Sequence, residues 1–537
     1  MLRIPCLVMA AAALCGDLAA QINSRGPGYD GRLHDIGSPR AWGRRGPAHP
    51  GGEVGISFQN DLCNPGSMAL AWFAADGDPA GMDEDHPKFG FLVARVVDDR
   101  LVQISDWSFC KHAFVSTNSP GPCGSCGSQP WAEQMFVGCS DIYSNANNAS
   151  RPWLGPPSEI NPWLGTWEAT GSYFDLGDDG LSPIDGVKGL MYAGTDPVKH
   201  RVTIQESDLG NSVTSDMWFQ IHVIHEGEPV ANRGDNLMSR ELRMTYNTSL
   251  QAWSTSTTGS ATHGSILSRW NGATITEGQN GIDDGRFFVA VKVTGPSIDG
   301  MWHYEYAVHN VDNHRGGASF SLPLCSSARV ENVGFRDIDK NALNDWTFSH
   351  ANDVATWSAP AGNAHRWNQL FNFWFDCDVA PGSGNASIAQ ADLGPGALTV
   401  TVPTTVPSWL PAVTVPGGCG TPACTLVADG LPTAGNPNFR INVLSDPNTF
   451  VVLFFSLPGI DVEVVPGCHV LIDLNAYGTF GFNVTDASGT TFYPTPVDPT
   501  WPDIQWQAVT LIPNPPLLGL FGLSNGLNVR YNSTGCP

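Results

Sequence analysis

The sequence predicts an all-β protein made of several antiparallel β-sandwiches that are cross-linked by disulfides, with long loops in the N-terminal domain. Short apolar runs alternate with clusters of Gly, Asn, Asp and Pro, which is typical of strands and turns. The 537 residues include 59 Gly and 41 Pro, and no long segment carries the caps and periodicity of a helix. With 42% hydrophobic residues, including 18 Trp and 25 Phe, the chain can bury several aromatic cores.

The first twenty residues have the layout of a secretory signal peptide. Arg3 supplies a positive start, residues 4–15 form an apolar run, and small residues follow at Ala19 and Ala20. The apolar run is too short to span a bilayer as a helix, and no later stretch is long and apolar enough to do so. We therefore expect a secreted or cell-surface protein with no membrane span in the mature chain.

The charge balance narrows the range of partners. The chain has 27 basic and 51 acidic residues, which gives a formal net charge of −24. Such a surface repels nucleic acid and anionic membranes, and it attracts divalent cations. Nucleic acid is therefore excluded as an expected partner, whereas extracellular polysaccharide and cell-envelope components remain.

Composition divides the chain into six segments. They are a signal peptide (1–20), an extended lead-in (21–53), a loop-rich N-terminal β domain (54–285), an immunoglobulin-like β-sandwich (286–402), a proline-rich linker (403–416) and a C-terminal β-sandwich module (417–537). The linker is expected to act as a semi-rigid spacer, because proline cannot donate to a sheet.

Within these units, strands are predicted where aromatic and β-branched residues cluster. The predicted strands are 89–97 and 218–223 in the first unit, 286–293, 301–310, 329–335, 347–357 and 370–376 in the second, and 439–444, 450–456, 469–474, 480–484, 504–512 and 527–531 in the third. The predicted core of the second unit contains Phe320, Val333, Trp346, Trp357, Phe373 and Phe375.

Several stretches resemble a group of large secreted bacterial β-rich proteins. The stretches are 105–114, 137–143, 153–167, 304–310, 332–335 and 367–376. The third unit resembles a C-terminal β-module that is appended to many exported bacterial proteins, and its marks are 435–439 and 523–527. The resemblance implies secretion and β architecture, and it carries over no catalytic residue.

The best signal for a cation site lies at residues 337–345. Asp337, Asp339, Asn341 and Asp345 place oxygen atoms at alternating positions of a short loop, which suits the six to eight oxygen ligands of Ca²⁺. The match to an EF-hand loop is partial, because Ala342 stands where the turn requires glycine. The alternative is a hairpin loop with solvated carboxylates.

A second candidate metal site lies on the strand predicted at 301–310. His303 and Glu305 share one face and are separated by roughly 6.6 Å, so both could reach one ion. His309 lies too far along the strand to complete the site, and a third ligand would have to come from elsewhere, such as His350 or His365. The alternative is a polar face in contact with solvent.

Four histidines define where an enzyme site would lie. His86, His112, His222 and His225 all fall within the loop-rich unit. His222 and His225 form an H-x-x-H motif in a predicted strand, where a spacing of three residues puts the rings on opposite faces. Convergence of His86 and His112 with one of the other two would favour a metal enzyme.

Of the 13 cysteines, two lie in the signal peptide, which leaves eleven disulfide candidates. They are Cys63, Cys110, Cys123, Cys126, Cys139, Cys325, Cys377, Cys419, Cys424, Cys468 and Cys536. Eleven is odd, so at least one thiol stays free or pairs between chains. We interpret the C-x-x-C motif at Cys123 and Cys126 as part of disulfides that staple a loop, and a zinc site is the alternative. Two further bridges are expected among the last four cysteines.

The sequence contains no G-x-S-x-G elbow, no H-E-x-x-H and no phosphate-binding glycine loop. We therefore expect a secreted structural or binding protein, stabilised by Ca²⁺ if the 337–345 loop holds an ion. The alternative from another class is a secreted enzyme, either a polysaccharide hydrolase or a metal-dependent oxidoreductase, with its site in residues 54–285.

Overall fold

A computed structural model of the chain shows an all-β, multi-domain protein whose sheets are all antiparallel. It describes residues 24–72, 82–131, 133–192, 194–209, 216–281, 284–408, 412–420, 424–430, 432, 436, 438–495, 497–498, 500–511 and 521–531. The signal peptide expected at 1–20 lies outside these residues. The predicted fold class, antiparallel β-sandwiches stapled by disulfides, is confirmed.

The first sandwich consists of two sheets around one apolar core. Its strands, with the short pair β3 and β8, are β1 (Arg32–Arg45), β2 (Glu53–Cys63), β3 (Leu70–Ala71), β4 (Lys88–Val97), β5 (Arg100–Gln103), β6 (Cys110–His112), β7 (Ser119–Pro120), β8 (Gln134–Met135), β9 (Cys139–Tyr143), β10 (Leu154–Gly155), β11 (Val202–Gln205), β12 (Met217–Ile224), β13 (Leu237–Asn247) and β14 (Ala252–His263). One sheet has the order β1-β2-β9-β7, with β11 also paired to β2. The other has the order β10-β6-β4-β12-β13-β14, with β5 paired to β4.

Strand β1 differs from the extended lead-in that was expected at 21–53. Its residues pair with β2 along its whole length, and the pairing is interrupted by three bulges. Each bulge shifts the alternation of inward and outward side chains by one residue. The period-2 signal by which a strand is recognised in a sequence is therefore lost at this strand.

The second sandwich likewise has two sheets, and each of them has five strands. Its strands are β15 (Thr274–Gln279), β16 (Arg286–Thr294), β17 (Trp302–Asn310), β18 (Gly317–Pro323), β19 (Val330–Arg336), β20 (Thr347–Ala351), β21 (Val354–Ser358), β22 (Gln369–Cys377), β23 (Pro381–Gln390) and β24 (Thr399–Pro407). The sheet orders are β15-β16-β17-β22-β19 and β20-β21-β18-β23-β24. All of its predicted core residues are buried except Val333, which is 36% exposed because β19 shifts register between Glu331 and Gly334.

One predicted strand of this sandwich is two strands. The segment 347–357 turns back on itself at Asn352 and Asp353, which have φ angles of 53° and 60°. Two consecutive left-handed residues are the mark of a tight hairpin turn, and Asn and Asp tolerate that conformation better than most residues. The Asn-Asp pair was therefore a hairpin signal inside the predicted strand.

The third sandwich has sheets of five and three strands, and a separate pair formed by β29 and β30. Its strands are β25 (Ala412–Val415), β26 (Thr425–Asp429), β27 (Arg440–Leu444), β28 (Phe450–Ser456), β29 (Val462–Val465), β30 (Cys468–Val470), β31 (Gly478–Val484), β32 (Thr490–Pro494), β33 (Ile504–Leu511) and β34 (Phe521–Val529). The sheet orders are β25-β34-β33-β28-β31 and β26-β27-β32.

The linker expected at 403–416 is partly strand. Residues 403–407 belong to β24 and pair with β23, and residues 412–415 form β25, which pairs with β34. Prolines are tolerated in β24 because it lies at the edge of its sheet, where a backbone N–H can be absent without breaking the sheet. Proline content alone was therefore a misleading sign of a spacer.

The first two sandwiches pack against each other face to face, through β4, β5 and β12 on one side and β16, β17 and β22 on the other. We call this contact the seam. Its buried apolar residues are Leu92, Ala94, Leu101, Ile266, Leu267, Trp270, Ala290, Ala307 and Leu370. Two side-chain amides also cross it, because Asn368 Nδ2 donates to Phe91 O at 2.8 Å and Asn372 Nδ2 donates to Leu101 O at 2.9 Å.

In the described residues, helix is limited to short turns in the loops of the first sandwich and in the connection from β14 to β15. These are α1 (Asn145–Asn148), α2 (Tyr173–Leu176), α3 (Glu206–Leu209) and the 3₁₀ segments Arg151–Trp153, Pro157–Glu159, Val230–Asp235 and Ile266–Arg269. None of the helices in the described part of the chain has the length and hydrophobicity that a membrane crossing requires.

Disulfides staple the loops of the first and third sandwiches. The bridges are Cys63–Cys123, Cys126–Cys139 and Cys419–Cys468, and Cys325 is disulfide-bonded as well. The two cysteines of the C-x-x-C motif thus belong to two different bridges. Cys536, one of the candidates, lies outside the described residues.

Three disulfide candidates are instead free thiols, namely Cys110, Cys377 and Cys424. All three are buried, and burial raises the pKa of the Cys377 and Cys424 thiols to about 12. Cys110 lies in an apolar cluster with Trp167 and Phe174. Thiols in such surroundings are protonated and poor nucleophiles.

We predict that these three thiols react with a maleimide only after unfolding. Labelling of the folded, unreduced protein should leave the peptides that carry Cys110, Cys377 and Cys424 unmodified, whereas labelling in denaturant should modify all three. Peptide mass spectrometry distinguishes the two states. Recovery of any of the three in a disulfide-linked peptide would contradict the assignment.

Candidate functional site

The predicted cation loop folds as a series of side-chain-capped turns. Asp337 Oδ1 accepts from the Asp339 backbone N–H at 3.0 Å, and Asp339 Oδ1 accepts from the Asn341 N–H at 2.7 Å. Asp337 Oδ2 also accepts from Asn363 Nδ2 at 2.6 Å. Burial raises the pKa of Asp337 and of Asp345, and the charge of Asp339 raises both further. The loop therefore concentrates negative charge.

The predicted pair His303 and Glu305 does come together, within an ion network. His303 Nδ1 lies 2.5 Å from Asp376 Oδ1, and His303 Nε2 lies 3.4 Å from Glu305 Oε2. Glu305 also accepts two hydrogen bonds from the Arg100 guanidinium, from Nε to Oε1 at 2.6 Å and from Nη2 to Oε2 at 2.5 Å. Hydrogen bonds to Glu305 and Asp376 raise the pKa of His303.

This network lies at the seam, where sequence reasoning expected either a metal site or a solvent-exposed face. Glu305 is 5% exposed and His309 is fully buried, because the first sandwich covers this face of β17. Arg100 comes from the first sandwich, and its guanidinium carbon lies 3.5 Å from the centre of the Trp374 ring. The ion network of His303, Glu305, Asp376 and Arg100 joins the two sandwiches. Both ring nitrogens of His303 face carboxylates in it, so neither is free to bind a metal.

The third ligands considered for that site are engaged elsewhere. His350 Nε2 lies 3.1 Å from Leu324 O, and His365 Nε2 lies 2.8 Å from Gln369 O. His365 also stacks on Phe371 with ring centres 4.1 Å apart.

Of the four histidines in the first sandwich, two meet and two stay apart. His86 Nε2 and His112 Nδ1 lie 2.7 Å from each other, and both rings are fully buried. His222 lies near Trp367 and His225 near Trp72, with ring centres 6.4 and 5.9 Å apart. Within the described residues, no group of three or more His, Cys, Asp or Glu side chains is placed to hold a metal ion.

The hydrogen bonds of the His86–His112 pair fix the positions of its protons. Asp83 O is a carbonyl and can only accept, so His86 Nδ1 carries a proton for this 2.8 Å bond. In a neutral ring His86 Nε2 is then an acceptor, and His112 Nδ1 must donate to it. His112 Nε2 is left with a lone pair, and it has no hydrogen-bond partner among the described residues.

Burial keeps this pair neutral. Loss of solvent lowers the pKa of both His86 and His112 well below the usual histidine value, and the positive charge of Lys88 lowers it further. The two hydrogen bonds of this neutral pair fix the orientation of both rings, and neither bond involves a carboxylate.

We predict that both rings are Nδ1–H tautomers at pH 7.5. Long-range ¹H–¹⁵N correlation spectra of the ¹⁵N-histidine-labelled protein should place the protonated-nitrogen resonance at Nδ1 and the unprotonated one at Nε2 for each ring. In free histidine the Nε2–H tautomer is more abundant, so the spectra distinguish the two cases. An Nε2–H resonance for His112 would contradict this hydrogen-bond direction.

Two buried lysines were missed by sequence reasoning. Lys88 Nζ donates to Glu84 O at 2.6 Å and to Gly165 O at 2.9 Å, and burial lowers its pKa to about 8. Lys111 Nζ lies 4.5 Å from the centre of the Phe114 ring and has no hydrogen-bond partner in the described part of the chain, and burial lowers its pKa as well. The sequence signal for their burial was position, because Lys88 begins the apolar strand β4 and Lys111 lies within the short strand β6.

Comparisons with known proteins show distant similarity only. No family model matches the chain, and no curated protein matches it. A variant of the major pilin subunit of Bacillus cereus is similar at 11% identity over 64% of this chain and 84% of that chain, with a TM-score of 0.17. Salmonella alpha-2-macroglobulin reacted with methylamine is similar at 8% identity over 93% of this chain and 33% of that chain, with a TM-score of 0.16. Similarity at this level carries no argument about function.

Proposed function

We propose that this protein is a structural or binding protein that works outside the cell or at the cell surface. The observation that carries the proposal is the seam, which joins two sandwiches into a body of four stacked sheets. A buried apolar contact with crossing amide hydrogen bonds resists relative motion of the two units. Such rigidity suits a structural or binding role.

The disulfides support the extracellular location. Bridges such as Cys63–Cys123 and Cys126–Cys139 form and persist in oxidising compartments. The strongly acidic surface favours polysaccharide or cell-envelope components as partners over nucleic acid. The alternative of a secreted enzyme in residues 54–285 gains no support from geometry, because His86 and His112 bond to each other while His222 and His225 lie apart from them.

The location is tested by fractionating bacterial cells that produce the full chain with a C-terminal tag. We expect the protein in the culture fluid or on the cell surface, in a form whose gel mobility changes on reduction. A cytoplasmic protein whose mobility is the same with and without reductant would overturn the proposal.

We also propose that the loop 337–345 binds Ca²⁺ and that the ion stabilises the second sandwich. The charges of Asp339 and Asp345 raise the pKa of Asp337, and the charge of Asp339 raises the pKa of Asp345, so a divalent cation in this loop would relieve that repulsion. Asn341 would add an amide oxygen to the ligand set.

Replacement of Asp337 and Asp339 by Ala should lower the melting temperature more in millimolar calcium than in chelator, because both forms lose the turn-capping hydrogen bonds and only the calcium-bound form also loses its ligands. Differential scanning calorimetry in the two buffers measures the difference. Asp392→Ala, which changes an exposed carboxylate on another loop, is the control. Equal shifts of the double variant in both buffers would remove calcium from the account.

A further inference from the structure

A cavity of about 350 Å³ opens on the third sandwich, beside the ends of β28 and β33. Four of its nine described lining residues are aromatic, namely Phe455, Phe480, Trp501 and Trp506. Its size falls within the range of small-molecule sites in proteins. It lies on a different sandwich from the seam and from the loop 337–345.

The sheet holds the rings in place before any ligand arrives. Phe455 and Trp506 are directly opposite each other on β28 and β33, with ring centres 5.4 Å apart. Phe480, on β31, meets Trp506 edge to face at 5.1 Å. Gly478 lies opposite Phe455, and a Cβ at that position would come within 2.3 Å of the ring. Glycine is therefore required for the ring to occupy its place in the wall.

The described lining residues include no ionisable side chain, although the chain carries a formal net charge of −24. Apart from the indole N–H groups, its one polar side-chain atom is Ser456 Oγ. That hydroxyl donates to Leu457 O at 2.9 Å and accepts from the Asp473 N–H at 3.1 Å, so its one donor and one of its two lone pairs are already used. A ligand hydroxyl that entered the cavity would find only the indole N–H groups to replace its water, and each neutral polar group left without a partner costs about 1–3 kcal/mol.

From these observations we propose that the cavity binds a small, neutral, apolar molecule that contains a ring. Aromatic walls offer dispersion contacts and a large gain from removing apolar surface from water. A polysaccharide does not suit this cavity, because its many hydroxyls need polar partners. The site therefore adds a second kind of binding to the surface role proposed above, and it does not depend on that role.

The test compares three probes on the full chain by saturation-transfer NMR. Tert-butylbenzene is neutral, phenyltrimethylammonium has the same shape with a positive charge, and glucose is polar. We expect tert-butylbenzene to bind about tenfold or more tightly than the cation, and we expect no signal from glucose. Tighter binding of the cation would instead identify an aromatic cage for ammonium groups, and it would overturn the proposal, as would the absence of tert-butylbenzene binding.

Variants locate the binding. Ala476 lines the cavity and is exposed, so Ala476→Phe should fill the mouth without disturbing the core and weaken tert-butylbenzene binding by about tenfold or more. Asn475→Phe, which adds the same ring one residue outside the lining, is the matched control and should bind as the parent does. If Ala476→Phe unfolds, Leu457→Trp provides a second filling variant, because Leu457 is 63% exposed. Unchanged binding in a folded filling variant would exclude this cavity as the site.

Discussion

Acidification from pH 7.5 to pH 5 should lower the free energy of unfolding by several kcal/mol. Six buried histidines are neutral in the folded protein, and they are His86, His112, His222, His225, His309 and His365. Burial lowers the pKa of His222 to about 4 and that of His225, His309 and His365 to about 3. For His86 and His112 the pKa is lowered in the same direction.

The free energy of unfolding falls on acidification because the unfolded chain binds more protons at these histidines than the folded protein does. A histidine whose folded pKa lies below its unfolded value of 6.5 binds more protons when unfolded, so its contribution is present above pH 6.5 and is lost as the pH falls. At pH 5 each such group costs about 2 kcal/mol, and the six together cost on the order of 10 kcal/mol. That figure is comparable to the whole stability of a typical domain.

Groups whose pKa is raised in the folded protein stabilise it as the pH falls, and they reduce this loss of stability. Burial raises the pKa of Glu228 to about 8, so this carboxyl takes up a proton in the folded protein as the pH falls and contributes about 3 kcal/mol of opposite sign over the same interval. His303, whose pKa is raised, also favours the folded state at lower pH. The histidines outnumber these groups, and the net effect is a loss.

Urea unfolding followed by tryptophan fluorescence at pH 7.5, 6.5, 5.5 and 5.0 measures this loss. The variant His225→Leu is a matched probe, because both ring nitrogens of His225 lack hydrogen-bond partners in the described part of the chain. The variant should be similar to the parent in stability at pH 7.5 and more stable by about 2 kcal/mol at pH 5. A stability that is constant between pH 7.5 and pH 5 would show that these histidines are not buried as neutral rings.

Truncation of the seam should have the second large effect. Leu370 is fully buried among the apolar side chains between the two sandwiches, and its N–H donates to Gln103 Oε1 at 2.9 Å. Leu370→Ala should lower the free energy of unfolding by about 2–5 kcal/mol through lost burial and a residual cavity. Equilibrium unfolding in urea measures the change.

The control for this prediction is Leu393→Ala. Leu393 is 90% exposed on a loop of the same sandwich, so its truncation should change stability by less than about 0.5 kcal/mol. If Leu370→Ala had an effect as small as that of Leu393→Ala, the two sheets would not be packed on each other in solution.

The period-2 alternation of the sequence was enough to predict which face of β17 is the core of its own sandwich. Tyr304, Tyr306 and Val308 do lie in that core. Alternation could not show what covers the opposite face, because the residues that cover Glu305 and His309 lie far away in the chain, in β5 and the segment after β14. From the polar residues on that face we predicted contact with solvent or a metal ion. In the structure the face is covered by the first sandwich.

Part of this information was present in the sequence. Asn368, Leu370 and Asn372 fall on one face at and near the start of β22, opposite the core residues Phe371 and Phe373. Amides that alternate with a leucine mark a face that is both buried and hydrogen-bonded, which is neither a core nor a solvent face. The disulfide pairing and the three free thiols, by contrast, depend on which loops meet in space.

Native-state hydrogen exchange on the intact chain in rising urea tests the central claim most directly. If the seam makes the first two sandwiches one body, the protected amides of β4 and of β22 should converge on a single opening free energy, and Leu370→Ala should lower it equally in both strands. The amides of β28 in the third sandwich should keep their own value. Separate opening free energies for β4 and β22, with the variant affecting only one of them, would show that the two sandwiches unfold independently and would contradict the account.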